Sequence, residues 1–360
     1  MKKFLVLLLA LVLLASCGGS KSSGSTGGDG GDDVIKVALL IGYRGDMSFN
    51  DSAARGVDKA GAEIPGVEVK VIEYGTDDSK IEPTLLDTAD EGYDMIIIGS
   101  SGLDYIHHAA DYPDTVFVVF DAEADFSDGQ NSNVYSIQYK VNEASYLAGY
   151  MAAKMSDTGV IGFLGGQDVP VISDFLVGYI TGAQLANPDI KVAWAYTGSW
   201  NDSAKGKDQS LMMFNQKNAS IVFGVAGAAG NGAIEAGAEV GKYVIGVDSD
   251  QHELFLNNGN ETLANVITTS VLKYVDNSLY RAIELYVEGK LPTGTNEVLG
   301  IAEGGAGLAK NSYYEETVPA ELRAEIDELE AKITAGEITI ISAYGLTTDE
   351  IDVIRNAVNP

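Results

Sequence analysis

Short, nearly continuous apolar segments alternate with helix-forming segments along most of this chain. A first series of such segments covers residues 35–41, 67–72, 95–99, 116–120 and 134–137, and a second covers 160–164, 190–196, 221–225 and 243–247. Strands that are apolar on both faces are typical of parallel sheets covered by helices on both sides. The pattern therefore predicts an α/β fold with two doubly wound parallel-sheet lobes around a central ligand cleft.

A domain with a single hydrophobic core is usually shorter than this chain, so two domains are expected. The N-terminal lobe is predicted to comprise residues 34–138 plus about 252–289, and the C-terminal lobe 139–251 plus about 290–360. Strand-like pieces at 298–302 and 338–341 indicate that the chain crosses between the lobes more than once.

The N-terminus has the features of a secretory signal. Residues 1–16 combine Lys2 and Lys3 with an apolar run, which is typical of a signal peptide and too short for a membrane span. The small residues before Cys17, the only cysteine, resemble a bacterial lipobox, so a lipid-modified Cys17 is expected; an incidental cysteine is the alternative. The Gly- and Ser-rich composition of residues 17–33 predicts a flexible linker. The predicted location is extracytoplasmic, with a lipid anchor in the cell membrane.

Composition and motifs argue against several functional classes. The formal net charge of −29, without a basic stripe, argues against nucleic-acid binding. No Gly-Lys pair is followed by Ser or Thr, which a phosphate-binding loop requires. Glu253 stands where a calcium loop beginning at Asp248 would need glycine, and three histidines without a second cysteine make no zinc signature. We therefore expect no catalytic activity, no cofactor and no metal.

One hexapeptide occurs almost twice. Residues 48–53 read Ser-Phe-Asn-Asp-Ser-Ala, and residues 199–204 differ only in Trp200 at the position of Phe49. Each copy lies between a predicted strand and a predicted helix, where its Ser and Asp are suited to cap the helix, and capping alone is the simpler interpretation. Capping does not require an aromatic ring. The repeat suggests two related lobes that place Phe49 and Trp200 on opposite walls of one cleft, where they grip a flat ligand.

Polar residues follow other predicted strands. Asp121 and Asp248 each end an apolar run, so each carboxylate either points into the crevice at the strand ends or caps the next turn. Lys273 follows a further strand-like segment, and the alternative for it is a solvated lysine at a helix start. Gly227 and Gly230 allow close backbone approach to a ligand, although tight-turn geometry explains them equally well.

Several ordered motifs together resemble the basic membrane protein family of lipoproteins. They are the signal and linker, residues 46–50, 199–202, 225–232, 245–250 and 269–273. That family includes purine nucleoside receptors of ABC importers, built on the type I periplasmic-binding-protein fold. The resemblance implies a receptor that captures a purine nucleoside and passes it to a permease and an ATPase subunit. We expect the receptor to be a monomer.

The resemblance also implies roles for individual residues. Phe49 and Trp200 match the two aromatic residues that sandwich the base. Asn50 and Asp121 match polar partners of the base, Asp248 and Lys273 match partners of the ribose, and Gly227 and Gly230 match positions of close backbone approach. The family usually carries an additional acid before the Ser-Phe-Asn element. The chain is shortened there, and whether Asp46 or Arg44 substitutes is open.

Three other functions stay open from the sequence. The same fold binds pentoses and hexoses with aromatic rings and carboxylates, so a sugar receptor is one alternative. Lipoproteins of the family are exposed at cell surfaces, which makes an adhesin or interaction protein a second. A nucleoside hydrolase is a weaker third, since no clustered acid site is evident.

Overall fold

A computed structural model describes residues 34–127 and 129–360. The predicted signal peptide, Cys17 and the linker lie outside the described residues. Within these ranges the strands are β1 (Ile35–Ile41), β2 (Val67–Glu73), β3 (Met95–Gly99), β4 (Val116–Phe120), β5 (Val134–Tyr139), β6 (Val160–Gly165), β7 (Lys191–Tyr196), β8 (Ile221–Val225), β9 (Tyr243–Asp248), β10 (Ile267–Lys273), β11 (Thr295–Leu299) and β12 (Ala306–Leu308).

Helices connect most of these strands. The α-helices are α1 (Phe49–Glu63), α2 (Ile81–Asp90), α3 (Val141–Met155), α4 (Pro170–Ala186), α5 (Ser203–Asn215), α6 (Asn231–Val240), α7 (Gln251–Asn257), α8 (Glu261–Ala264), α9 (Val275–Val287), α10 (Ser312–Thr317), α11 (Ala320–Thr334) and α12 (Thr348–Ala357). Short 3-10 helices cover Asp78–Lys80, Ser100–Asp111, Gly227–Gly230 and Ala343–Gly345. Among the described residues, no helix has both the length and the apolar character that crossing a membrane requires.

The strands form two six-stranded sheets, one in each lobe. The first sheet has the order β11-β5-β4-β3-β1-β2, and the second has the order β12-β10-β9-β8-β6-β7. All neighbouring strands are parallel except β10 and β12, which pair antiparallel at the edge of the second sheet. The predicted α/β fold with two parallel-sheet lobes is confirmed.

Strand β1 shows why the strands are apolar on both faces. Val37, Leu39 and Ile41 belong to one buried cluster, while Ala38 and Leu40 belong to a second cluster on the opposite face. Successive side chains of a strand point to opposite faces, so a sheet covered on both sides buries every position. The nearly continuous apolar sequence of this strand follows from that geometry.

The chain crosses between the lobes after β5, after β10 and after β11. These crossings differ from the predicted lobe boundaries. Strand β10 lies in the second sheet, although residues 252–289 were expected in the N-terminal lobe, and β11 lies in the first sheet, although residues 290–360 were expected in the C-terminal lobe. The reason is strand pairing: β10 pairs with β9, whereas β11 adds in parallel to β5.

The two lobes repeat one topology, but the repeated hexapeptide does not mark equivalent points in it. By strand order, β6 and β7 of the second sheet correspond to β1 and β2 of the first. The first hexapeptide copy follows β1, whereas the second follows β7, the counterpart of β2. The two lobes are related in topology, as the repeat suggested, but the two copies do not mark this relationship, because they stand after non-corresponding strands.

Equivalent helix pairs beside the crossings pack through glycine. A Cβ atom built on Gly56 of α1 would lie 2.3 Å from the carbonyl oxygen of Asp276 in α9, and one on Gly178 of α4 would lie 2.3 Å from that of Asn142 in α3. In both pairs the obstacle is backbone, which cannot rotate away as a side chain does. Glycine is therefore needed at Gly56 and Gly178 so that each helix following a crossing can reach its lobe.

We expect Gly178→Ala to destabilise the protein by about 1–3 kcal/mol, because the added methyl group overpacks the contact between α3 and α4. Urea unfolding measures this difference. Gly345→Ala is the matched control, since a Cβ atom at that position meets nothing within 4 Å. Equal stability of the Gly178→Ala variant and the native protein would show that the contact is not tight.

Candidate functional site

A cavity of about 1000 Å³ lies between the two lobes at the carboxyl ends of the strands. This is the place where open α/β sheets bind ligands, and the volume is at the upper end of the usual range for small-molecule sites. Most of the residues predicted from the sequence to bind a ligand line it: Asp46, Phe49, Asn50, Asp121, Trp200, Gly227, Asp248 and Lys273. Gly230 is absent from the lining.

Three charged side chains meet at the base of the cavity. Lys273 Nζ lies 2.8 Å from Asp121 Oδ2 and 3.7 Å from Asp248 Oδ1. All three side chains are buried, with 3% of Lys273, 6% of Asp121 and 8% of Asp248 exposed. Asp121 belongs to the first lobe and Asp248 to the second, while Lys273 ends β10 at a crossing. The cluster therefore links both lobes through one ammonium group.

The two aspartates occupy corresponding places in the repeated topology. Asp121 directly follows β4, and Asp248 ends β9, the counterpart of β4. Both backbones are left-handed, with φ of 62° at Asp121 and 64° at Asp248. Aspartate tolerates this region better than most residues. The same backbone turn directs both carboxylates toward Lys273. The two aspartates thus follow the symmetry of the lobes, whereas the two hexapeptide copies do not.

The electrostatics of this cluster depend on burial. Burial raises the pKa of Asp248 above its ordinary value, while the charge of Lys273 and the hydroxyl of Ser48 act in the opposite direction. Transferring ions from water into the protein interior costs free energy unless the ions are paired and hydrogen-bonded there. Asp121 Oδ1 is buried and has no hydrogen-bond partner in the structure. It is an acceptor available to a polar group in the cavity.

The two predicted aromatic residues come from opposite lobes. Phe49 packs on Phe120 with ring centroids 5.2 Å apart, and Lys273 Nζ lies 5.0 Å from the Phe49 centroid. Trp200 is 38% exposed, and its indole lies against Gly166, where a Cβ atom would come within 2.3 Å of the ring. Both rings line the same cavity. The structure thus provides one aromatic surface on each side of the interlobe space.

The loop before α1 is hydrogen-bonded to the second lobe. Ser48 Oγ donates to Asp248 Oδ2 at 2.5 Å. Gln251 Nε2 donates to the Met47 carbonyl at 3.1 Å, and Asn231 Nδ2 donates to the Asp46 carbonyl at 3.2 Å. These bonds join the lobes beside the charged cluster. The described arrangement therefore has the lobes in direct polar contact on this side of the cavity.

The capping roles predicted for the two hexapeptides hold only in part. Ser48 stands at the N-cap of α1, but its side chain makes no capping bond and instead donates to Asp248. In the second copy, Asp202 accepts from the Lys205 amide and caps α5. The predicted capping role is therefore wrong for Ser48, because its hydroxyl donates to a buried carboxylate of the other lobe.

Asp46 supplies the missing cap for α1. Its carboxylate accepts from the backbone amides of Ser48, Asn50 and Asp51 at 2.8–3.1 Å. Burial nevertheless raises the pKa of Asp46 to about 6. Asp46 borders the cavity, yet both of its carboxylate oxygens are bonded to this helix start. Arg44, the other candidate for the missing family acid, is exposed and paired with Asp58.

The two predicted glycines have different positions. Gly227 lines the cavity with φ of 57°, and a Cβ atom there would lie 3.3 Å from the Trp200 carbonyl oxygen. Gly230 lies outside the lining and packs near the Gly224 carbonyl instead. The placement of Gly230 in the ligand site is therefore not supported by the geometry, because this glycine faces the strand behind the turn.

Several lining residues were not singled out from the sequence. Phe120 and Ser100 stand at the carboxyl ends of predicted strands, so the rule that placed Asp121 in the crevice could have included them. Phe175, on α4, lies 5.2 Å from Lys273 Nζ by its ring centroid. Tyr344 reaches the cavity from the far C-terminal part of the chain. Nothing in the local sequence pattern indicates either of these two positions.

Acidic groups outnumber cations around the cavity. Its lining contains Asp46, Asp78, Asp104, Asp121, Glu123 and Asp248, with Lys273 as the one basic residue among the described lining residues. Within residues 34–127 and 129–360, no group of His, Cys, Asp and Glu is arranged to hold a metal ion. The field in the cavity therefore favours neutral or cationic ligands over anionic ones.

Comparison with known proteins agrees with this arrangement. Residues 34–340 match the Bmp family, described as ABC transporter substrate-binding protein PnrA-like. The chain belongs to this family. Basic membrane protein A of Borreliella burgdorferi is 33% identical over 351 residues, which cover 95% of this chain and 96% of that protein. The ABC transporter nucleoside-binding protein BmpA of Lactococcus lactis is 33% identical over 315 residues, covering 83% and 88%.

Solved structures show the same relationship. A solute-binding protein of an ABC transporter system from Aeropyrum pernix superposes with a TM-score of 0.77 at 27% identity, covering 90% of this chain and 97% of that one. The family and this structural neighbour are solute-binding proteins rather than enzymes. This member of the Bmp family is accordingly an extracytoplasmic solute-binding protein of the ABC-importer type.

We expect Lys273→Met to destabilise the ligand-free protein by about 3–5 kcal/mol at pH 7, because two buried carboxylates lose their cation. At lower pH the deficit should shrink, because burial raises the pKa of Asp248 and this carboxylate loses its uncompensated charge as it takes up a proton. Urea unfolding at pH 7 and pH 5 tests both statements.

The control is Lys332→Met, which breaks the exposed ion pair with Glu328 and should change the free energy of unfolding little, because solvent screens such a pair. A pH-independent deficit in the Lys273→Met variant would mean that lost packing, not uncompensated charge, explains its instability.

Proposed function

We propose that this protein captures a purine nucleoside in the interlobe cavity and delivers it to the permease and ATPase of an ABC importer. The observation that carries the proposal is that Phe49 and Trp200, from opposite lobes, line a single cavity together with Asp248 and Lys273. One relative, 33% identical, is described as nucleoside-binding. The family membership supports the import role, and the aromatic pair supports a planar ligand.

The aromatic pair suits a heterocyclic base. Stacking a base on an aromatic side chain contributes about 1–3 kcal/mol, so two faces supply a substantial part of a micromolar affinity of about −8 kcal/mol. Stacking alone does not discriminate among bases, because every base has a π-face. Asn50 and the unpartnered Asp121 Oδ1 are the groups we assign to recognition of the base.

The charged cluster suits a ribose. The vicinal hydroxyls of a ribose donate to a carboxylate such as Asp248, and the Lys273 ammonium donates to a sugar oxygen. Ser48 already occupies Asp248 Oδ2, so Oδ1 is the oxygen of that carboxylate we assign to the sugar. The many carboxylates of the lining oppose a phosphate on the same ligand. We therefore propose nucleosides rather than nucleotides as ligands.

Calorimetry with inosine, guanosine and adenosine tests the proposal, and we expect binding that Phe49→Ala and Trp200→Ala each weaken by about 1–3 kcal/mol. The stability of the ligand-free variants should change little. Trp194→Phe is the matched control: Trp194 is the other tryptophan of the chain and lies outside the cavity lining. In that variant Trp200 is the remaining fluorophore of its type, so nucleoside-dependent quenching should persist.

Further ligands distinguish the alternatives. Inosine monophosphate should bind at least about tenfold more weakly than inosine because of the acidic lining. Binding of ribose or galactose with no response to nucleosides would replace the proposal by a sugar receptor. Release of free base on prolonged incubation, detected by chromatography, would indicate a hydrolase. Native affinity in both aromatic variants would exclude the stacking geometry.

We further propose that Cys17 carries a lipid that anchors the mature protein to the outer face of the cell membrane. The support is the sequence alone: a signal-like segment, small residues before the single cysteine, and a polar linker of residues 18–33. Cys17→Ser should abolish metabolic labelling with palmitate and release the protein into the medium in a bacterial host. Unchanged labelling of that variant would refute the anchor.

A further inference from the structure

The C-terminal segment crosses the side of the second lobe that faces the cavity. We call residues 340–344 the C-terminal strap. The sequence predicted a strand at 338–341, but these residues form no strand in the structure. Their carbonyl groups bond a side chain instead: Asn142 Nδ2 donates to the carbonyls of Ile340 at 3.2 Å and Ile341 at 3.1 Å. The side-chain amide of Asn142 thus takes the place of the neighbouring strand that was expected to pair with these residues.

Asp174 fixes the middle of the strap. Its Oδ1 accepts from Ser342 Oγ at 2.7 Å and from the Ala343 amide at 2.8 Å, while Oδ2 accepts from the Asn142 amide at 3.3 Å. Asp174 is buried in the first turns of α4. A buried carboxylate with three donors holds a segment in one place, because breaking any of these bonds leaves charge unsatisfied. The strap is therefore rigidly mounted on the second lobe.

The strap ends in Tyr344, which lines the cavity. The residue is 39% exposed, whereas the polar groups that hold the strap are buried. Burial together with the charges of Asp121 and Asp174 raises the pKa of Tyr344 above its ordinary value, so the phenol keeps its proton at neutral pH. Gln138 of the first lobe is close enough to shift this pKa in the opposite direction. Tyr344 thus presents its ring to the interlobe cavity.

Asp121 Oδ1, on the wall of the same cavity, is buried and has no hydrogen-bond partner in the structure. An unsatisfied buried acceptor is unfavourable, and such a group is usually completed by a ligand or water. The ring of Tyr344 is exposed in the cavity wall, and the strap that carries it is held by several hydrogen bonds. Such a ring offers a surface that a ligand can contact.

We propose that Tyr344 is a third aromatic contact of the ligand, and that its hydroxyl acts beside Asp121 on a polar, uncharged part of that ligand. This inference rests on the proposed nucleoside-binding function. It adds a wall that neither hexapeptide supplies and that comes from the C-terminal strap on the second lobe. The phenol both donates and accepts, so it suits a hydroxyl or amide group of a nucleoside.

The test compares Tyr344→Ala, Tyr344→Leu and Tyr344→Phe with the native protein by calorimetry with inosine. The alanine and leucine variants should raise Kd about tenfold, and the phenylalanine variant should raise it about threefold because only the hydroxyl is lost. Val353→Ala is the control, since Val353 lies in the same terminal region, outside the cavity lining, and is 71% exposed. It should leave Kd unchanged.

The outcomes separate this inference from the proposed function. Native protein that binds inosine while the alanine and leucine variants bind it equally well would overturn the role of Tyr344 and leave the nucleoside receptor intact. Native protein without nucleoside binding would overturn the proposed function itself. If Tyr344→Ala fails to fold, Tyr344→Leu and Tyr344→Phe decide the question. A phenylalanine variant with native affinity would remove the role of the hydroxyl.

Discussion

A single buried ammonium group connects the two halves of this molecule. Lys273 pairs with Asp121 of the first lobe and faces Asp248 of the second, and Ser48 bonds the same Asp248 from the opposite side. Buried charges of this kind contribute little net stability, but they fix geometry, because each unpaired state is costly. The relation between the lobes therefore depends in part on this cluster, which also lines the cavity and holds its ammonium group near Phe49.

Repetition of one topology explains why the cluster is symmetric. Asp121 and Asp248 follow corresponding strands with nearly the same left-handed backbone. Corresponding helix pairs also meet through a glycine, at Gly56 with Asp276 and at Gly178 with Asn142. The helix that follows each crossing is therefore attached to its lobe in the same way. The aromatic residues break this symmetry, since Phe49 and Trp200 follow non-corresponding strands.

The parts of the fold that could be predicted from the sequence are those that local pattern determines. Apolar strands such as β1 and β4 are recognisable because both faces are buried. Strand β11 was recognised only in part, as a strand-like piece at 298–302, because it is a largely polar edge strand, and its place in the first lobe was missed. Phe49 and Trp200 could be found through their repeated neighbours. Tyr344 could not, because its place in the cavity depends on distant bonds to Asp174.

The late position of β11 has a consequence for biosynthesis. This strand completes the first sheet beside β5, yet about 155 residues, most of them in the second lobe, separate the two along the chain. A nascent polypeptide thus lacks the edge of its earliest half until residue 299 has been made, and such long-range closure is slow. Until then β5 is the edge of that sheet, and the backbone groups that later pair with β11 lack their partners in the ladder.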